Sequence, residues 1–164
     1  QIVDDMYKVR TVTDTRDTDG SAVTGLWFIG QKYFGSTLEA EYAEKALPVF
    51  GQTVRWLDDY FQGNVPMEMP PVSFNSSSFR IRVWKLLMEI PYGHTVTYGE
   101  IARTLEKQTG RRICAQAVGG AVGHNPVSII VPCHRVIGSN GLTGYAGGLD
   151  KKLALLRLEG VNVH

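Results

Sequence analysis

The sequence has few cysteines and no long apolar stretch. Its 164 residues include 2 cysteines, Cys114 and Cys133, whose spacing fits neither a zinc ribbon nor a CxxC redox pair. So few cysteines are typical of a reducing compartment. No apolar run approaches the roughly 20 residues of a membrane-spanning helix, and the first residues lack the basic segment and apolar core of a signal peptide. We therefore expect a cytoplasmic, globular protein that has no contact with a membrane.

The sequence also lacks a strong net charge, but its charges are unevenly distributed. Residues 1–78 carry 6 Lys or Arg and 11 Asp or Glu, a net of −5, whereas residues 79–164 carry 11 and 5, a net of +6. A basic half favours a polyanionic partner such as nucleic acid, although a merely solvated basic face has the same composition. We interpret the acidic residues 14–19 as a solvated turn.

The first half has the pattern of an α/β unit. Apolar residues predict strands at residues 6–12 and 22–29 and a helix that begins at Pro48 and ends at Gly63. Residues 63–78, rich in proline and serine and without a period, are interpreted as a domain linker. This divides the chain into an N-terminal domain with its linker, residues 1–73, and a C-terminal domain, residues 74–164. Three aromatic residues are assigned to the core: Trp27, Trp56 and Tyr60.

Two short helices with a basic turn between them characterise the second half. An earlier helix, from Phe79 to Ile90, is followed by a capping box at residues 97–100, which starts the first helix of the pair. After the basic turn at residues 108–112, small residues predict a thin second helix that can approach a partner closely. Such a pair is typical of a helix-turn-helix, although helix pairs that bind nothing have the same pattern. Cys114 is interpreted as buried and structural.

The most informative segment is residues 129–137, IIVPCHRVI. Its β-branched start predicts a buried strand that ends at Pro132, with Cys133 and His134 directly behind it. A buried cysteine is often only structural. Here, however, a fixed backbone, an adjacent imidazole and Arg135 favour a reactive thiolate. The sequence then predicts a tight turn at residues 138–141, a glycine-rich loop at residues 144–148 without the GK[ST] of a phosphate-binding loop, and a final helix at residues 150–159.

The order of these motifs closely resembles the 6-O-alkylguanine-DNA alkyltransferases, also called methylated-DNA–protein-cysteine methyltransferases. The resemblance extends from Phe79 to Gly160. It rests on Tyr98, Ala117-Val118-Gly119, Asn125-Pro126, Pro132-Cys133-His134-Arg135-Val136, Gly144-Tyr145-Ala146-Gly147-Gly148, Leu155-Leu156 and Glu159. It implies an α/β N-terminal domain of ribonuclease H-like topology, followed by a mainly α C-terminal domain with a winged-helix-like helix-turn-helix.

The resemblance also implies a function. Such a protein flips 6-O-methylguanine out of double-stranded DNA and transfers the alkyl group irreversibly to its own Cys133, so each molecule acts once. His134 takes the thiol proton through a water molecule, Glu159 orients the imidazole, Tyr98 protonates the leaving guanine, and Asn125 braces the cysteine turn. The resemblance implies neither a metal nor another cofactor. The remaining site residues that it implies are Val136, Tyr145, Ala146 and Lys152 for the substrate and Arg112, Gln116, Ala117, Gly119, Arg135 and Ser139 for DNA.

One position departs from the family pattern. Many members have an arginine where this sequence has Gln116, and insert it into the base stack after flipping. Glutamine can fill the gap but carries no charge, which predicts competent but weaker flipping. We expect a monomer and leave cooperative loading on DNA open. One alternative function is a lesion sensor that does not transfer the alkyl group, which the presence of Cys133 disfavours. A helix-turn-helix regulator is disfavoured because the sequence has no dimerisation stripe. A cysteine hydrolase is disfavoured because nothing in the sequence suggests an acyl substrate.

Overall fold

The chain forms two compact units. The computed structural model describes the backbone of residues 9–12 and then residues 20–28, 32, 47–142 and 144–162, so the acidic residues 14–19 lie outside it. One unit comprises residues 1–75 and 126–130, and the other comprises residues 76–125 and 131–164. Within the described part of the chain, no helix has the length and apolar character needed to cross a membrane.

The first unit contains two strands and a helix, as the sequence predicts. Strands β1 (Val9–Val12) and β2 (Gly25–Phe28) pair antiparallel. Helix α1 (Pro48–Phe61) begins with proline, whose fixed φ and missing N–H suit the first helical turn. Its buried face comprises Val49, Thr53, Trp56, Leu57 and Tyr60, and the rings of Trp56 and Tyr60 stack at 5.5 Å. The predicted core residues are all buried: Trp27, Trp56 and Tyr60.

The predicted linker is partly incorporated into this first unit. The backbone N–H of Val23 donates to the carbonyl oxygen of Pro71 at 2.7 Å, and the N–H of Ser73 donates back to the carbonyl oxygen of Val23 at 3.0 Å. The interpretation of residues 63–78 as a linker throughout is therefore wrong. The interpretation failed because Val23, which pairs with this segment, lies almost fifty positions before it in the sequence, and no local pattern indicates such a pairing.

The second unit is mainly helical, with one very short parallel sheet. Its elements are α2 (Ser78–Met88), β3 (Val96–Thr97), α3 (Tyr98–Thr109), α4 (Ala115–Gly123), a 3-10 helix (Cys133–Arg135), β4 (Val136–Ile137) and α5 (Leu149–Leu158). Pairing of Val96 with Val136 in β3 and β4 brings the start of α3 beside the segment that contains Cys133.

Local hydrogen bonds explain where the helix pair α3 and α4 begins and ends. The predicted capping box of α3 is present: the Thr97 hydroxyl accepts from the Glu100 N–H at 3.1 Å, and the Glu100 carboxylate accepts from the Thr97 N–H at 2.6 Å. Helix α3 ends at Gly110, whose φ of +68° is the left-handed conformation that glycine adopts easily. The Trp84 indole N–H donates to the Ala121 carbonyl oxygen at 2.8 Å, which ties α2 to α4.

Two sequence predictions in this region are wrong. Cys114 is exposed at the residue that precedes α4, where the first three residues of the helix are exposed as well. Residues 129–131 are buried but form turns and not a strand: Ile129 has a φ of +71°, and the Ile130 N–H bonds only two residues back, to the Ser128 carbonyl oxygen. An apolar run predicts burial in either case and does not distinguish a strand from a buried turn.

Candidate active site

Cys133 begins the 3-10 helix and lies inside the protein. Its residue is 4% exposed, and its backbone N–H donates to the Val131 carbonyl oxygen at 2.8 Å. The buried Asn125 side chain donates to the same carbonyl oxygen, also at 2.8 Å. The segment just before the cysteine is therefore held by two donors on one oxygen, which fixes where the thiol points.

The surroundings of Cys133 act on its acidity in opposite directions. Burial raises the pKa of the thiol above its ordinary value, while hydrogen bonds from Asn125 and Tyr145 and the positive charge of Lys152 lower it; the net effect is a raised pKa. The resting cysteine is therefore a protonated thiol at neutral pH. Because a thiolate is the reactive form, this site needs a base that removes the proton.

His134 follows Cys133 in the chain and contacts a carboxylate, and a histidine held in this way can act as such a base. His134 is fully buried, and its Nε2 lies 2.8 Å from Oε1 of Glu159, the residue that ends α5. Burial acts to raise the pKa of Glu159, but hydrogen bonds from His134 and Arg135 lower it to about 2, so the carboxylate is ionised. Burial also lowers the pKa of His134. The imidazole is thus neutral, with its proton on Nε2 facing the carboxylate and its lone pair on Nδ1.

Arg135 also contacts this carboxylate. Its Nη2 donates to Oε1 of Glu159 at 2.8 Å and its Nε to Oε2 at 2.9 Å, while Nη1 donates to the Ile90 carbonyl oxygen at 2.7 Å. The residue is only 9% exposed. The prediction that Arg135 binds DNA is therefore wrong, because its guanidinium is directed into the protein and its donors are engaged there.

Lys152 is a buried cation whose charge acts on the Cys133 thiol. It projects from α5, is fully buried, and donates from Nζ to the Val136 carbonyl oxygen at 2.6 Å. Burial lowers the pKa of this lysine to about 8, and the charge of the Cys133 thiolate opposes that shift. At neutral pH most Lys152 side chains remain protonated, and so this cation stabilises a thiolate once one forms.

Known proteins are similar to this chain in sequence and in fold. Residues 78–161 match the family model described as "6-O-methylguanine DNA methyltransferase, DNA binding domain". The methylated-DNA–protein-cysteine methyltransferase of Mycobacterium tuberculosis strain H37Rv is 45% identical over 141 residues, which cover 85% of this chain and 81% of the relative. The inducible enzyme of Bacillus subtilis strain 168 is 40% identical over 151 residues, with the same two coverages. The chain belongs to the methylated-DNA–protein-cysteine methyltransferases.

A solved structure extends this likeness to the fold. The crystal structure of Mycobacterium tuberculosis OGT in complex with DNA matches with a TM-score of 0.72 and 38% sequence identity, covering 92% of this chain and 91% of that chain. The described part of our methyltransferase shares its mixed, mainly helical fold with a small sheet. The expected ribonuclease H-like and winged-helix-like topologies stay predictions.

The surface of the methyltransferase around α4 carries most of the residues predicted to bind DNA. A Cβ on Gly119 would lie at an ordinary van der Waals distance, 3.9 Å, from two carbons of the Tyr98 ring, so this part of α4 is next to the start of α3. Tyr98 itself is half-buried, as are Tyr145 and Ala146 in the glycine-rich loop. The exposed residues of the predicted set are Arg112, Gln116, Ala117 and Ser139.

Sequence reasoning missed two relationships in this methyltransferase site. It did not pair Arg135 with Glu159, because 24 positions separate them and a basic residue after Cys-His equally suggests a DNA contact. It assigned Lys152 to the substrate without foreseeing its charge beside the thiol. The one signal available was a lysine among the apolar positions of α5, next to Leu153, since lysines rarely occupy a buried helix face.

Proposed function

We propose that the protein repairs DNA by transferring the alkyl group of a 6-O-alkylguanine to the sulfur of Cys133. The observation that carries this proposal is the buried thiol of Cys133, followed directly by a neutral His134 that Glu159 orients. The family name and the DNA complex of the related OGT support alkylated double-stranded DNA as the substrate.

The reaction is a displacement at the alkyl carbon. The thiol proton moves to Nδ1 of His134 through a bridging water, and the sulfur then forms a bond to the carbon as the bond between that carbon and the guanine oxygen breaks. Lys152, 2.6 Å from the Val136 carbonyl oxygen, balances the thiolate charge. The electron pair of the broken bond leaves with the guanine, and the Tyr98 hydroxyl supplies a proton to it.

The product is a thioether, which explains why one molecule would act only once. A thioether carbon bears no good leaving group, so water does not regenerate the thiol on a useful timescale. The protein is then the methyl acceptor as well as the catalyst. The chemistry proposed here moves one alkyl group and two protons, one from Cys133 to His134 and one from Tyr98 to the guanine, and it requires no cofactor.

Recognition of the substrate requires that the nucleotide leave the base stack, since the alkyl carbon is inaccessible in a duplex. Flipping costs a few kcal/mol, and a poorly paired methylated guanine reduces that cost. We propose that α4 enters the minor groove, that exposed Gln116 fills the gap, and that Arg112 contacts phosphate. Further contacts would come from Ala117, Gly119 and Ser139 for DNA and from Val136, Tyr145 and Ala146 for the base.

The proposed contacts assign a function to one of the two domains and a fold to the other. We propose that residues 74–164 form the DNA-binding and alkyl-acceptor domain, with α3 and α4 as a helix-turn-helix in a winged-helix-like arrangement. Residues 1–73 would form a domain of ribonuclease H-like topology, to which strands β1 and β2 and helix α1 belong. We further propose that the protein is cytoplasmic and acts as a monomer.

Intact-protein mass spectrometry tests the proposal. The protein is mixed with an excess of duplex containing a single 6-O-methylguanine, and Cys133→Ser and Cys114→Ser are run in parallel. We expect a gain of one methylene mass that saturates at one per chain, is absent in Cys133→Ser and is unchanged in Cys114→Ser. Tight binding of the lesion without any mass gain would indicate the sensor function instead.

A further inference from the structure

The carboxylate of Glu159 accepts hydrogen bonds from one cation, Arg135, as well as from His134 and a backbone N–H. Oε1 accepts from Nε2 of His134 and from Nη2 of Arg135, both at 2.8 Å. Oε2 accepts from Nε of Arg135 at 2.9 Å and from the backbone N–H of Gly93 at 3.2 Å. The oxygen that faces the imidazole is therefore shared with a guanidinium.

The guanidinium is itself held by groups other than the carboxylate. Nη1 of Arg135 donates to the Ile90 carbonyl oxygen at 2.7 Å, and the guanidinium carbon lies 5.7 Å from the centre of the Tyr92 ring. The guanidinium of Arg135 is thus held by the Glu159 carboxylate, the Ile90 carbonyl oxygen and the Tyr92 ring. Because these contacts fix its plane, Arg135 determines where the carboxylate can lie.

We propose that Arg135 is a positioning residue for alkyl transfer: it shares Oε1 of Glu159 with His134, and so keeps the imidazole neutral while Glu159 still orients it. The inference rests on the proposed role of His134 as the base for Cys133. It goes beyond that role because it assigns the protonation state of the base to a third residue.

The physical reason is the balance of charge around His134. An isolated carboxylate at hydrogen-bond distance from a buried imidazole stabilises the imidazolium, and an imidazolium cannot accept the thiol proton. The charged groups that act on His134 are Glu159, which follows α5, Lys152 from α5, and Arg135 from the 3-10 helix, where Cys133 is the neighbouring titratable group. Glu159 is the one anion among these groups while Cys133 is protonated. The two cations oppose its effect, and Arg135 does so at the carboxylate itself.

Two variants separate the charge of Arg135 from its fork geometry. Arg135→Gln removes the charge, whereas Arg135→Lys keeps the charge but cannot form the bidentate fork. We would measure the titration of His134 by NMR in the full-length protein with labelled histidine, using His134→Gln to assign the signal. In parallel we would measure the single-turnover rate of methyl transfer from a 6-O-methylguanine duplex as a function of pH.

We expect wild-type His134 to be neutral at pH 7, with its proton on Nε2. Arg135→Gln should raise the His134 titration midpoint by about one pH unit. The acid limb of the plot of transfer rate against pH should shift to higher pH by the same amount. At a given pH on that limb, the rate should therefore fall about tenfold. Arg135→Lys should leave the His134 midpoint near that of the wild type. Its transfer rate should fall below the wild-type rate by the same factor at every pH.

Two results would overturn the inference. One is a wild-type His134 that is protonated at pH 7, which can be established even if Arg135→Gln does not fold. The other is a folded Arg135→Gln whose midpoint and acid limb do not move. The NMR titration needs no alkyl transfer, so a failure here is distinct from failure of the proposed function, which would appear as methyl transfer that persists in Cys133→Ser.

Discussion

The Asn125 amide donates a hydrogen bond of 2.8 Å to the carbonyl oxygen of Val131, two residues before the cysteine. Both groups are buried, so neither has water as an alternative partner. The same amide also lowers the pKa of the Cys133 thiol. One side chain thus supports the shape of the turn and the acidity of the thiol together.

Replacing this residue should therefore affect stability and reactivity at once. We expect Asn125→Ala to lower the free energy of unfolding by about 1–3 kcal/mol, because a buried amide hydrogen bond is lost. It should also raise the thiol pKa further, so that methyl transfer needs a higher pH. Urea unfolding and the pH dependence of single-turnover transfer measure the two effects. The exposed Asn140→Ala serves as control, and equal behaviour of the two variants would contradict the prediction.

Two glycines with the same backbone conformation allow a matched test of the turn before β3. Gly93 and Gly160 both have a φ of +79°, which disfavours any side chain. A Cβ on Gly93 would lie 3.2 Å from the Glu159 backbone oxygen, whereas a Cβ on Gly160 would have no heavy atom within 4 Å. We expect Gly160→Ala to cost about 1 kcal/mol through conformational strain, and Gly93→Ala to cost clearly more. Thermal and urea unfolding of both variants provide the comparison; equal losses would show that the Glu159 contact has no energetic weight.

Local signals in the sequence explain what it predicted well. Thr97 and Glu100 define a capping box within four residues, and Pro48 begins a helix whose apolar stripe repeats every three to four residues. Each of these features depends on neighbours in the chain. The first residues of α1 and α3, and with them the position of Tyr98, could therefore be predicted from the sequence.

The features that it did not predict depend on distant partners. The fork between Arg135 and Glu159 spans 24 positions, and the pairing of Val23 with Pro71 spans almost fifty. Ile129 in a left-handed conformation was also unforeseeable, since β-branched residues rarely adopt one and tertiary contacts must stabilise it. At the site, the family resemblance predicted the contact of Glu159 with His134 but not its contact with Arg135.

The buried pair of His134 and Glu159 predicts a loss of stability in acid. The pKa of His134 is lowered from 6.5 in the folded protein, so below pH 6.5 the unfolded chain binds the proton more readily. The pKa of Glu159 falls from 4.5 to about 2, so its contribution is complete above pH 4.5 and is lost as the pH falls towards 2. Both groups bind more protons when unfolded, and the free energy of unfolding must fall with pH across these windows.

Urea unfolding at pH 7, 5 and 3.5 checks this dependence. We expect Glu159→Gln to be less stable than the wild type at pH 7, because the Arg135 guanidinium then lacks its buried counter-charge. The difference between the two proteins should shrink as the pH falls below 4.5. Glu89→Gln, at an exposed position, is the control. A difference between wild type and Glu159→Gln that stays constant from pH 7 to 3.5 would contradict the assignment of the acid effect to this pair.

Gln116 provides a direct test of the proposed DNA surface. It is exposed on α4, close behind Arg111 and Arg112 in the sequence. Gln116→Arg adds a positive charge that would reach phosphate or the emptied base stack, so we expect tighter binding of a 6-O-methylguanine duplex and faster repair. The slope of the logarithm of the association constant against the logarithm of salt concentration should steepen by about one. Gln62→Arg adds the same charge at an exposed position in the first unit and should leave binding and slope unchanged. If Gln116→Arg changes neither affinity nor repair rate, α4 is not the element that enters the DNA.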